Sequence, residues 1–122
     1  MNHSLAARIA AGFAMLGVVL GAFGAHSLKE TLASSPNGLE TWKTAVLYHL
    51  LHAVAMYVLA VTNGSLRAWY LFAGGIVLFS GSLYLLAPLH WKWPGPVTPF
   101  GGVLFIAGWA TLMISKKPHT DH

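Results

Sequence analysis

The sequence predicts an all-α membrane protein of four transmembrane helices in an antiparallel bundle, with both termini on the same side. Residues 9–26, 44–66, 68–91 and 93–115 carry no Lys, Arg, Asp or Glu, and each run is close to the length of a bilayer crossing, about 20 apolar residues. The composition agrees: 56% of residues are hydrophobic and 8% charged, where about 25% charged residues is usual for a water-soluble domain. Backbone groups unpaired in lipid cost several kcal/mol, so a span must be a helix or part of a closed barrel. Barrel strands alternate polar and apolar positions; residues 13–20 (FAMLGVVL) and 103–110 (VLFIAGWA) do not. Helices are left.

The 122 residues form one domain, with spans expected at about 5–25, 40–62, 67–88 and 97–115. After the first span, Leu28 and Leu32 beside Lys29 and Glu30 suggest a short interfacial helix, and Ser34-Ser35-Pro36-Asn37-Gly38 is a loop. Glu40 supplies negative charge to the first turn of the second span. Thr62-Asn63-Gly64-Ser65 is a tight turn that makes spans two and three a hairpin. Pro88, Pro94, Pro96 and Pro99 are expected to hold the next connection extended. Thr98 as N-cap and Pro99 at the first helical position then start span four. Arg8 and the apolar stretch after it have the outline of a secretory signal, but the run exceeds a usual signal core, so the span is expected to be retained.

Four crossings put Arg8, Arg67, Lys116 and Lys117 on the side of the termini, and Lys29, Lys43 and Lys92 on the other. The excess of positive charge places the termini in the cytoplasm. Trp42, Trp91 and Trp93 fall on the opposite side, as an aromatic belt would. The formal charge of +4 is scattered over helix ends, which argues against a nucleic-acid face. The absence of cysteine excludes disulfides, thiolate metal sites and a cysteine nucleophile.

The polar and small-residue motifs share one leaflet, away from the termini. They are residues 21–26 (GAFGAH), 42–52 around Tyr48, His49 and His52, 79–84 (FSGSLY) and 98–102 (TPFGG). His49 and His52 lie about 60° apart on one helical face, with Ala45, Ala53, Met56 and Ala60 extending it. At a rise of 1.5 Å per residue His49 is about 10 Å below Trp42, shallow in the leaflet, and His52 is about 15 Å below, near the midplane. The candidate polar site is His26, Tyr48, His49, His52, Ser80, Ser82, Tyr84 and Thr98. Gly17, Gly21 and Gly24, and Gly74, Gly81, Gly101 and Gly108 at seven-residue spacing, are candidates for close helix packing.

Two readings of the polar set are open. Histidine suits a proton relay, a metal pair or a polar ligand, since its pKa is near neutrality and its nitrogens bind metals. Alternatively, both rings hydrogen-bond across helices, for example to Ser80, Ser82 or Tyr84, while the serines bond carbonyls of their own helix. His26 would only meet the interface, and His3, His90, His119 and His122 lie outside the membrane without a role. No intramembrane carboxylate completes a metal site, and there is no phosphate loop, nucleophile–base pair or paired carboxylates. No catalytic residue, metal ligand or cofactor is therefore nominated, and the chain reads as a non-enzyme. The expected role is a structural or accessory component, working as a homo-oligomer or as a subunit of a larger membrane complex in contact with the lipid bilayer. The small-residue stripes, more than one small bundle needs, motivate the oligomer. The alternative is a His-lined site for a small ligand, proton or metal in the non-cytoplasmic leaflet.

Four motifs occur in order: residues 21–26 (GAFGAH), 42–53 (WKTAVLYHLLHA), 78–84 (LFSGSLY) and 98–102 (TPFGG). Over about residues 5–114 the chain resembles the bacterial inner-membrane proteins of the domain-of-unknown-function 423 family, the YgdD-like or UPF0382 proteins. The resemblance implies a four-helix protein of a bacterial plasma membrane, and no activity. The residues that carry it are His26, Trp42, Tyr48, His49, His52, Ser80, Ser82, Tyr84, Thr98 and Pro99.

Overall fold

Long apolar stretches free of turn formers become helices, and the residues between them supply the caps and turns. The computed structural model describes residues 1–89 and 94–115. Helix α1, His3–Ala25, starts where the Asn2 side chain accepts the Leu5 N–H at 2.7 Å. The short α2, Lys29–Ala33, is the expected interfacial turn, but Leu32 is fully buried against Trp42 and Ala87 and plugs the end of the bundle. Helix α3, Gly38–Val61, has Glu40 in its first turn. It stops at Thr62, where Asn63 turns left-handed (φ 56°) and the Gly64 N–H returns to Leu59 O at 2.7 Å. Ser65 then caps α4, Leu66–Gly75, by accepting the Ala68 N–H. A π-helical turn, Ile76–Ser80, joins α4 to α5, Gly81–Leu89, so that the third span is continuous over Leu66–Leu89. A 3-10 turn, Gly95–Val97, leads into α6, Thr98–Ile114.

The described residues thus contain four helical stretches of 20 to 24 residues, each long and apolar enough to cross a membrane. At 1.5 Å per residue, 20 residues reach about 30 Å, the thickness of the hydrocarbon core.

Helix α3 is the central element. It packs on α1 along its length and on α4, the π turn and α5, whereas α6 packs mainly on α4 and the π turn. Of the apolar window of each span, 39% is buried in α3 against 17% in α1 and in the fourth span, so these two are the edges of the assembly. His3 Nε2 donates to Gly64 O at 3.0 Å and ties the start of α1 to the α3–α4 turn. Leu112 packs on the cluster that holds Leu59, so the last turns of α6 lie at that same end.

The chain departs from the sequence expectation in four places. Pro88 lies in the last turn of α5, and Pro94 is helical (φ −71°, ψ −16°) rather than extended. Proline fixes φ near −65°, which suits the helical turn as well as the extended chain. Thr98 is not an N-cap, because Val97 is already helical and the Thr98 N–H reaches Pro94 O. The π turn was not foreseen. Helix α3 begins at Gly38, four residues before Trp42, so that His49 is near its middle. The belt residues Trp91 and Trp93, with His90, Lys92, Lys116, Lys117, His119 and His122, lie outside the described residues.

Candidate functional site

Glycines let α3 approach α1 closely enough for ring N–H groups to reach backbone. A Cβ on Gly24 would overlap the indole of Trp42, whose Nε1–H donates to Leu20 O at 2.8 Å. A Cβ on Gly17 would meet Leu50 and the His49 ring, whose Nε2–H donates to Phe13 O at 2.8 Å. In an α-helix the N–H of residue i bonds the carbonyl of residue i−4. Each glycine therefore stands beside the carbonyl it bonds, and its missing side chain opens that oxygen's second lone pair to the incoming ring. Gly21 continues the contact against Val46. The glycine stripe of α1 is thus used for packing within the chain.

The other nitrogen of His49 faces Tyr84, with Nδ1 and the hydroxyl 2.8 Å apart. A carbonyl only accepts, so the bond to Phe13 O fixes the proton on Nε2 of the neutral ring, and the Tyr84 hydroxyl donates to Nδ1. The Tyr84 ring also packs on Trp42, with centroids 4.8 Å apart. One turn away Ser80, fully buried, donates to Ala45 O at 2.7 Å. This bond crosses from the end of the π turn to α3, against the expectation of a bond within its own helix.

His52 belongs to a separate cluster. Its Nε2 accepts the Trp109 indole N–H at 3.0 Å, and its Nδ1 is 2.9 Å from Tyr48 O. An indole only donates and a carbonyl only accepts, so the proton is on Nδ1, the opposite tautomer to His49. The imidazole stacks on Phe105 at 3.7 Å between centroids, with the Phe72 edge 5.2 Å away. Tyr48 is exposed and packs on Phe79. Ser82 bonds Phe79 O, as expected, and also the Thr98 hydroxyl, linking α5 to α6. His26 is exposed at the end of α1.

The eight candidates therefore do not build one site. Two histidines 60° apart on a central helix lie on either side of a boundary between neighbours, so His49 turns to α1 and α5 and His52 to α6. Among the described residues no group of three or more His, Cys, Asp or Glu could hold a metal ion, and both nitrogens of each buried histidine already have protein partners.

Gly101 lies against the backbone of Phe79, and Gly108 against the Phe72 ring. Gly74 meets Leu104 at 3.1 Å. Gly81 has only its own helix within 4 Å and borders open space instead. Gly75, unmarked in the sequence reading, takes the Phe105 ring. The partners Trp109 and Phe105 were also missed. A signal existed for Trp109: it lies inside the charge-free run of α6, where an indole N–H needs an acceptor from the protein.

Gly81 lines the groove where the candidate residues meet open space. The groove, of about 390 Å³, runs between α1 and the third span and is walled by Gly12, Phe13, Leu16 and Val77, with His49 and Tyr84 as its polar members. A second groove of about 360 Å³ lies between α3 and α6 beside Tyr48, His52 and Trp109.

The family model described as "Protein of unknown function (DUF423)" matches residues 20–102. A UPF0382 membrane protein of Staphylococcus aureus (strain bovine RF122 / ET3-1) is 42% identical over 108 residues, covering 84% of this chain and 86% of its own length. UPF0382 membrane protein YwdK of Bacillus subtilis (strain 168) is 41% identical over 110 residues, covering 84% and 87%. UPF0382 inner membrane protein YgdD of Escherichia coli (strain K12) is 41% identical over 104 residues, covering 80% and 77%. No solved structure matches the chain. With four membrane-length helices and relatives of this kind along most of its length, the chain belongs to the DUF423 family of membrane proteins.

Proposed function

We propose that the protein is a non-catalytic structural or accessory component of a bacterial plasma membrane, working with further copies of itself or within a larger membrane complex. The observation that supports this reading is the use made of its buried polar groups. Trp42, His49, His52, Ser80 and Ser82 each tie one helix to another. The open edges at α1 and α6, each with little of its surface covered by the chain, are where a partner would sit. Positive charge orients the molecule with the start of α1 and the end of α6 in the cytoplasm, through Arg8, Arg67, Lys116 and Lys117 against Lys29, Lys43 and Lys92. Native mass spectrometry from lipid nanodiscs tests the reading: assemblies are expected, and monomer alone in membranes extracted without partners would count against it.

A second reading, a small-ligand site, is favoured by the groove between α1 and the third span, because the His49–Tyr84 pair lines it. The metal form of this reading has little support, since the ring nitrogens of His49 and His52 are engaged. Ligand-induced thermal shifts lost in Gly12→Leu, whose Cβ meets nothing within 4 Å and whose side chain would occupy the groove, would support it.

A further inference from the structure

Where α1 ends and α3 begins, a further groove of about 350 Å³ opens between the two helices. On α3 its walls are Leu39, Lys43, Val46, Leu47 and Leu50, one helical stripe about 16 Å long at 1.5 Å per residue. On α1 they are Gly21 and Ala25. Trp42 closes the side between them. Its indole bonds Leu20 O and its ring fills the space beside Gly24, so the groove is formed before anything enters it.

Charge is confined to one end of this groove. Of the described charged residues in this part of the chain, Lys29, Glu30, Glu40 and Lys43, only Lys43 is a wall. It is exposed, and it is the last charged residue before the charge-free run 44–66. A lysine at the end of such a run keeps its ammonium group at the interface, among the lipid head groups. Val46, Leu47 and Leu50 belong to the run itself, so the groove leads from a cation at head-group level into the hydrocarbon. The grooves beside His49 and beside His52 have no Lys, Arg, Asp or Glu in their walls. An acyl chain entering either of those meets nothing that distinguishes one lipid from another.

We propose that the groove between α1 and α3 is a site for an anionic glycerophospholipid, whose phosphate sits against the Lys43 ammonium group while one acyl chain lies along Val46 and Leu50. A zwitterionic lipid brings an ammonium group of its own beside that of Lys43, and a diacylglycerol brings no charge at all. The site is separate from the groove beside His49 and does not depend on the small-ligand reading.

The test uses the full chain in dodecyl maltoside, with dioleoylphosphatidylglycerol, dioleoylphosphatidylethanolamine or dioleoylglycerol added and bound lipid read by native mass spectrometry. One phosphatidylglycerol per chain is expected, with phosphatidylethanolamine about fivefold weaker, the contribution of one lysine near an anionic head group. Lys43→Gln should bring the two lipids to the same level, and Lys43→Arg should keep the preference. Lys29→Gln, at the same end but off the groove, should leave it unchanged. Ala25→Phe should fill the groove and abolish retention; Ala25 and Lys43 are both exposed, so neither change disturbs the core. Phosphatidylethanolamine or dioleoylglycerol retained as well as phosphatidylglycerol overturns the proposal. So does a preference that survives Lys43→Gln, or one that Lys29→Gln lowers equally, which is attraction to the surface as a whole. Retention untouched by Ala25→Phe puts the lipid outside the groove and overturns it as well.

Discussion

Trp42 and His49, seven residues apart on α3, make the same contact with α1. Each ring lies against a glycine, Gly24 or Gly17, and donates to the carbonyl four residues before it, Leu20 or Phe13, at 2.8 Å. The helices are antiparallel, so a step of seven forward on α3 matches a step of seven back on α1. The next step pairs Met56 with Ala10, both fully buried in the same cluster. A period of seven is what two helices need to keep one seam in contact. In lipid, where apolar burial gives no advantage to association, close approach and interhelical hydrogen bonds hold helices together. The glycines of α1 provide both here.

This seam makes the effect of a large residue on α1 depend on its face. Gly17→Leu and Gly24→Leu should lower stability by 2 kcal/mol or more, roughly the cost of overpacking a tight contact. Gly12→Leu, on the same helix, should cost much less, since a Cβ there meets nothing within 4 Å and the side chain has the open groove to enter. Reversible unfolding in mixed micelles by sodium dodecyl sulfate measures the difference. Equal effects at the three positions would mean that α1 does not present this face to α3.

Two tryptophans should respond differently to phenylalanine. Trp42 gives its indole proton to Leu20 O, whereas Trp69 is buried and its Nε1 is without a partner among the described residues. Trp42→Phe loses volume and a hydrogen bond; Trp69→Phe loses volume and removes an unsatisfied donor. The first should be the more destabilising by about 1 kcal/mol in the same unfolding assay. A reversed order would place the Trp42 indole elsewhere.

For Trp109→Phe, the expected cost is about 0.6 kcal/mol and at most about 1.7, the average and the upper value for an interhelical hydrogen bond in a membrane protein. The change leaves His52 Nε2 without its donor while most of the aromatic packing remains. No loss of stability would show that the indole does not hold His52.

Topology can be read directly in cells. Reporter fusions after Ser65 and after Lys117 should mark the same compartment, the cytoplasm in the proposed orientation. Opposite compartments would break the four-span arrangement, and a periplasmic result at both would reverse the orientation alone.

The spans and turns were legible in the sequence because charge-free length and clusters of turn formers are local signals. The region of each polar motif was legible for the same reason. Which neighbour each side chain would reach was not. His49 and His52 share a face by helical geometry, yet that face borders two different helices, and only packing decides which ring turns to which. The π turn at Ile76–Ser80, where the Phe79 backbone lies against Gly101, was hidden as well, since no residue pattern in the turn marks it. Thr98 was misread because a helical residue before it removed the need for a cap, freeing its hydroxyl for Ser82.

The central claim is that the two buried histidines are separate ties within the chain and not two halves of one polar site. His49 bonds Phe13 and Tyr84, His52 bonds Tyr48 and Trp109, and they share no partner. A double-mutant cycle of His49→Ala and His52→Ala, read by reversible unfolding in mixed micelles, tests this directly. Independent ties predict losses that add to within about 0.5 kcal/mol. A coupling above about 1 kcal/mol would contradict the account and return the pair to a single site.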